Sequence, residues 1–148
     1  MAAAAPGQIW RDDCYYLDAE TGECRRKYLL VLAVSPDDTD AVTAVFTSRP
    51  HGLGTDPACS VGPPRAGHFV GAPGGALAKP TWVDFSSLQT LDGQDLARHL
   101  RSGRKTLQAL RLDDALFCAV LRCALQCDDL TGRQARWIGD AAAHLGCR

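Results

Sequence analysis

The sequence predicts a mainly β protein with added helices. The expected architecture is a small five-stranded SH3-like β-barrel over residues 7–91, followed by a helical part over residues 92–148. Both parts belong to a single domain, 7–148, behind a flexible alanine-rich tail at residues 1–6. Two observations carry this. The apolar pattern is strand-like up to about Ser87 and helical from about Asp92. Pro, Gly, Asp and Ser cut the first half into short segments, as turns do. The length, 148 residues, suits one domain that buries about two thirds of its unfolded surface.

The elements follow in order. Residues 9–16 and 26–34 read as two strands joined by Asp18-Ala19-Glu20-Thr21-Gly22, whose Gly supplies the positive φ of a hairpin turn. Tyr28-Leu29-Leu30-Val31-Leu32-Ala33-Val34 is apolar throughout, as in a strand covered on both faces or rolled into a barrel. An acidic turn, residues 35–40, leads to a strand at 41–48 containing Val42, Thr43 and Val45. Residues 49–67 are rich in Pro, Gly and Ser and read as a long loop. Short strands are expected at 68–71 and 81–85. Asp92 caps a first helix that stops near Gly103. Asp113 or Asp114 caps a second, and Thr131 caps a third that ends at Gly146. An OB-type five-stranded fold has the same pattern.

Net charge is −1, so binding to an anionic partner must come from a local patch. No apolar run approaches the ~20 residues of a membrane helix. No signal peptide is apparent, and the expected location is cytoplasmic. The cysteines number seven. An odd count without an export signal predicts free thiols, with Cys14 and Cys24 facing one another across the first hairpin. No Cys-x-x-Cys pair occurs, so neither a metal site nor a cofactor is expected.

Four pieces in order resemble the PemK/MazF family of toxin ribonucleases, with their CcdB/Kid-like barrel. They are Gly7-Gln8-Ile9-Trp10, Tyr28-Leu29-Leu30-Val31-Leu32, Phe46-Thr47-Ser48, and Leu77-Ala78-Lys79-Pro80-Thr81-Trp82-Val83-Asp84. Leu88-Gln89-Thr90-Leu91 resembles the family's step into its helix, so the similarity spans residues 7–102. The resemblance implies an endoribonuclease that cuts single-stranded RNA without metal, using the substrate 2′-OH as nucleophile. It also implies a homodimer and a cognate antitoxin protein. Lys27-Tyr28 stands where the family has Arg-Pro, so Lys27, with Arg26 beside it, takes the place of the catalytic Arg. Thr47 matches the family Thr.

The expected catalytic residues are therefore Lys27, Arg26 and Thr47, with Ser48, Arg25, His51, Trp82 and Lys79 binding substrate. Cations and hydroxyls suit a phosphodiester because charge gathers on its non-bridging oxygens in the transition state. Plainer roles compete with these. Arg25-Arg26-Lys27 also suits a solvated hairpin edge, Thr47 a strand-end hydroxyl bonded to backbone, and His51 a surface position. His68 reads as structural and Trp10 as core. Trp82 suits either core or base stacking. Neighbours on a strand face opposite ways, so Arg26 and Lys27 enter one site together only through a bulge. The densest basic stretch, Arg98, Arg101, Arg104, Lys105 and Arg111, suits a solvated surface or a phosphate-binding face. The second helix, 114–126, has an apolar face broad enough to pair two copies. The competing function is a noncatalytic barrel module that binds an antitoxin or a gyrase-type target.

Overall fold

The computed structural model describes residues 4–147. Seven strands form one antiparallel sheet: β1 (Ile9–Leu17), β2 (Cys24–Val34), β3 (Ala41–Thr47), β4 (Cys59–Val61), β5 (Ala66–Gly71), β6 (Thr81–Leu91) and β7 (Lys105–Leu107). Their spatial order is β4-β5-β6-β3-β2-β1-β7. The sheet is open, with β4 and β7 as its edges. Three helices complete the chain: α1 (Gly93–Ser102), α2 (Asp114–Ala124) and α3 (Gly132–His144).

Side-chain alternation explains the layering. Leu30 and Leu32 of β2, with Val42, Ala44 and Phe46 of β3, share one core with Phe117, Val120 and Leu121 of α2 and Trp137 and Ile138 of α3. Leu29, Val31, Ala41 and Val45 turn the other way and pack with Trp10 and with Leu96 of α1. The sheet is therefore covered on both faces, which is why residues 28–34 carry no polar alternation.

The expected helix caps form. Asp92 accepts from the Gln94 and Asp95 amides, Asp113 accepts from Leu116, and Thr131 forms a capping box with Gln134. Gly103 takes φ +78° at the end of α1. Gly7, the first residue of the opening motif, has φ +89°, and a Cβ there would meet the Arg111 side chain at 2.7 Å. Its amide donates to Val31, which starts the pairing of β1 with β2.

Several expectations are corrected. Two strands are additional: β4 within the expected 49–67 loop, and β7 within the basic linker. Each is only three residues long, too short for a periodic signal. Residues 88–91 are the end of β6, longer than the strand expected at 81–85, and lead through Asp92 directly into α1. Part of the expected flexible tail lies outside the described residues, but Ala4 is buried beside Trp10 and the Ala5 amide donates to Gln8 Oε1. The apolar side of α2 is buried within the chain, so that helix offers no ground for pairing two copies.

The largest correction concerns the thiols. Three disulfides join Cys14–Cys24, Cys59–Cys123 and Cys118–Cys147. Cys127 alone remains free, buried, with its thiol pushed up to about 11, mainly by burial. The bridges span 10, 64 and 29 residues. In the chain-entropy account those loops correspond to about 2.7, 4.3 and 3.6 kcal/mol. Disulfides of this number belong to oxidising compartments, so the cytoplasmic expectation loses its support from free thiols. No helix among the described residues is long and apolar enough to cross a membrane.

Candidate functional site

A cleft of about 820 Å³ opens where β2 begins, β3 ends and β6 begins. Its walls include Tyr16, Asp18, Arg25, Arg26, Lys27 and Tyr28 from the first hairpin. Thr47, Ser48, Arg49 and His51 come from the end of β3 and the loop after it, and Lys79 and Thr81 from the entry to β6. All the expected site residues except Trp82 thus line one cavity. Trp82 is buried, packs its ring on Phe69 at 5.1 Å, and donates Nε1–H to the Gly54 carbonyl at 2.9 Å. It is a core residue and offers no face to a base.

A bulge interrupts the β1–β2 ladder beside Arg26, with its extra residues on β1, and Arg26 and Lys27 both line the cleft. Asp12 pairs with Lys27 and Tyr16 with Arg25, so three residues of β1 oppose Arg26 alone. The extra residues increase local twist at the point where the ladder meets the cleft.

The cations differ in freedom. Arg25 donates to Asp18 Oδ2 through both Nε and Nη2, at 3.1 and 2.8 Å. Those bonds, with the Glu20 and Thr21 amides, hold the Asp18 carboxyl below its usual range. Arg26 Nε donates to Asp13 Oδ1 at 3.1 Å, a carboxylate that Arg11 also meets at 2.9 Å. Lys27, Arg49 and Lys79 make no ion pair among the described residues.

Two threonines fix the strand ends that carry the free cations. The Thr47 hydroxyl donates to the Arg49 carbonyl at 3.2 Å and accepts from the Arg49 amide at 3.1 Å. The Thr81 hydroxyl donates to the Lys79 carbonyl at 2.7 Å. Because β3 and β6 pair antiparallel, with Thr47 opposite Trp82, the two stapled ends lie side by side. Thr47 in this state is bonded to backbone, and reaching a ligand oxygen with its proton requires breaking the Arg49 carbonyl bond. His51 has φ +50°, in the left-handed region, and is exposed in the cleft wall.

Sequence reasoning missed Arg49, Tyr16, Tyr28, Asp18 and Thr81 in this wall. Arg49 stood one residue beyond the hydroxyl pair and could have been found by extending that motif. Tyr16 carried no signal, since an aromatic on a strand is usually core; here it is 49% exposed.

The densest basic stretch forms a different arrangement on β1, α1 and β7. Asp12 is buried and receives Lys105 Nζ at 2.8 Å and Arg104 Nε at 3.0 Å. Burial would raise this carboxyl, but the bonds from Arg104, Lys105 and the Cys14 amide hold it below its usual range. His99 lies between the same two cations, with Nδ1 2.8 Å from Lys105 Nζ and Nε2 3.2 Å from Arg104 Nη1. Burial and those two charges lower its pKa from 6.5. This basic stretch is thus neither a solvated surface nor a phosphate face at Lys105, which is 4% exposed. His68 is structural, as expected: buried, with Nδ1–H donating to the Phe69 carbonyl at 2.8 Å. Among the described residues no three His, Cys, Asp or Glu side chains gather to hold a metal ion.

Neither a model of a known protein family nor a curated protein matches this chain.

Proposed function

We propose that the cleft binds single-stranded RNA and cleaves it as a toxin-like endoribonuclease, with the substrate's 2′-OH as nucleophile. The observation that carries this reading is the meeting of Arg26, Lys27, Arg49 and Lys79 with Thr47 and Ser48 in one cavity. Unpaired cations beside a strand end suit a phosphodiester, whose non-bridging oxygens gain charge as the 2′-oxygen attacks. Lys27 stabilises that charge as a point cation, and Arg26 joins it by exchanging Asp13 for phosphate. Thr47 sets the direction of Arg49 and lends its hydroxyl to the phosphate when the Arg49 carbonyl bond opens. The 2′-hydroxyl gives up its proton to solvent as its oxygen attacks, and His51, exposed in the same wall, supplies the proton for the leaving 5′-oxygen. The mechanism calls for no cofactor. The PemK/MazF type of SH3-like barrel belongs with this reading: β1, β2, β3, β6 and β5 are consecutive neighbours, and a register shift marks each of the four junctions between them. The homodimer and the antitoxin come with the resemblance.

A second reading has two observations in its favour. The Thr47 hydroxyl is committed to the Arg49 backbone and Arg26 to Asp13, which suits a module that binds an acidic protein segment in the cleft without cutting anything. The test is incubation with a panel of single-stranded RNAs in EDTA and mapping of the ends. Cyclic phosphate ends that disappear in Lys27→Ala and Thr47→Ala support the nuclease. Intact RNA across the panel, from a folded protein, rejects it in favour of the binding module.

A further inference from the structure

The three disulfides are not equivalent in position. Cys59–Cys123 has one end fully within the core, at 1% exposure, and Cys118–Cys147 ties α2 to the segment after α3. Cys14–Cys24 instead joins the two strands that form the cationic wall. Cys24 is exposed and immediately precedes Arg25, Arg26 and Lys27. Cys14 lies inside the β1 bulge, between the Asp12–Lys27 and Tyr16–Arg25 pairs, where regular ladder bonding is interrupted. The bridge therefore does at the bulge what backbone pairing does elsewhere along the hairpin. It also closes the shortest loop of the three, so opening it frees the least chain entropy and leaves the rest of the fold cross-linked.

We propose that Cys14–Cys24 is a thiol–disulfide exchange site, through which a dithiol reductant loosens the cationic wall and lowers its affinity for anionic ligands. A thiolate of the dithiol attacks the sulfur of Cys24, the exposed residue of the pair, and Cys14 leaves as a thiolate that takes up a proton. The second thiol of the reductant then attacks its own mixed-disulfide sulfur, releasing Cys24. Two electrons and two protons pass to the protein pair, and the dithiol becomes a disulfide. With the bridge open, the wall is held by the pairs flanking the bulge and by the exposed Arg25–Asp18 and Arg26–Asp13 bonds, with no covalent tie across it. The ligand side of this inference rests on the anion-binding reading of the cleft.

The experiment titrates the native protein with dithiothreitol and maps thiols by differential alkylation. In parallel it measures binding of a single-stranded oligonucleotide and of inorganic polyphosphate. Cys14 and Cys24 are expected to label first, and affinity for both probes to fall about fivefold or more, as an ordinary coupling between two sites would give. Reoxidation restores it. A Cys14→Ser/Cys24→Ser variant, with its fold checked by circular dichroism, binds at the reduced level with or without reductant. Opening of another bridge first, or opening of Cys14–Cys24 with unchanged affinity, overturns the proposal. Binding and redox release of polyphosphate without any oligonucleotide binding leaves the proposal standing and rejects the RNA reading. Binding of neither probe by the oxidised protein rejects both.

Discussion

Two cationic clusters flank β1, and they have opposite characters. At one, Lys105 and Arg104 converge on the buried Asp12 carboxylate with His99 between them. At the other, Lys27, the cross-strand neighbour of that same Asp12, faces an open cleft with Arg49 and Lys79 and has no acidic partner among the described residues. The carboxylate is committed to Arg104 and to Lys105 of β7, so it does not neutralise the lysine beside it. Positive charge along a sequence is thus a poor guide to an anion site. What matters is which cations the fold leaves without a counter-charge.

The comparison can be broken most directly at Asp12. Asp12→Ala leaves Lys105 buried without its carboxylate and is expected to cost about 3–5 kcal/mol. An unchanged urea midpoint would remove the contrast between a balanced cluster and an open one. The next effect concerns Tyr16, the exposed aromatic of the cleft wall. Tyr16→Ala should weaken single-stranded RNA by about 1–3 kcal/mol for a stacked base and leave polyphosphate binding unchanged. Equal losses for both probes would mean that the ring shapes the wall without meeting a base.

Acidification sharpens the contrast further, with a smaller effect. His99 and His68 both have pKa values lowered from 6.5, chiefly by burial. The unfolded chain then binds more protons than the folded one as pH falls through 6.5, so stability decreases from there down to the folded values. Thermal midpoints measured from pH 7.5 to 5 should therefore drop, and His99→Gln should reduce the drop. A rise in stability over that range contradicts a His99 held neutral between two cations. The smallest effect is electrostatic and belongs to the cleft. Lys79→Ala should reduce the slope of log affinity against log salt by about one, uniformly across RNA sequences. The same measurement on Lys105→Met should show no change in slope.

Much of the fold was legible because its signals are local. Caps at Asp92, Asp113 and Thr131 need only a side chain and the next turn, and Gly22 sits where the hairpin needs it. The strands of the first half follow from period and turns. That the sheet stays open was not legible, since an apolar run such as 28–34 reads alike in a barrel and in a sheet covered on both faces. The cysteine pairs were hidden because Cys59 and Cys123 meet across 64 residues of sequence. The site was readable as a set of residue types, and the cleft gathers seven of the eight expected residues. Trp82 was assigned to it because neither spacing nor composition tells which face of β6 a tryptophan takes. The backbone-bonded state of Thr47 was one of the readings its strand-end position offered, whereas the pairing of Arg26 with Asp13 was beyond reach, because it depends on the bulge.

The two border strands have a consequence for behaviour at high concentration. β4 and β7 each offer a stranger chain just three residues of free backbone. A template so brief gives lateral addition little to hold, even though Val61 and Leu107 are exposed on those rims. Crowded samples of this protein should therefore resist fibre growth for as long as the native sheet persists.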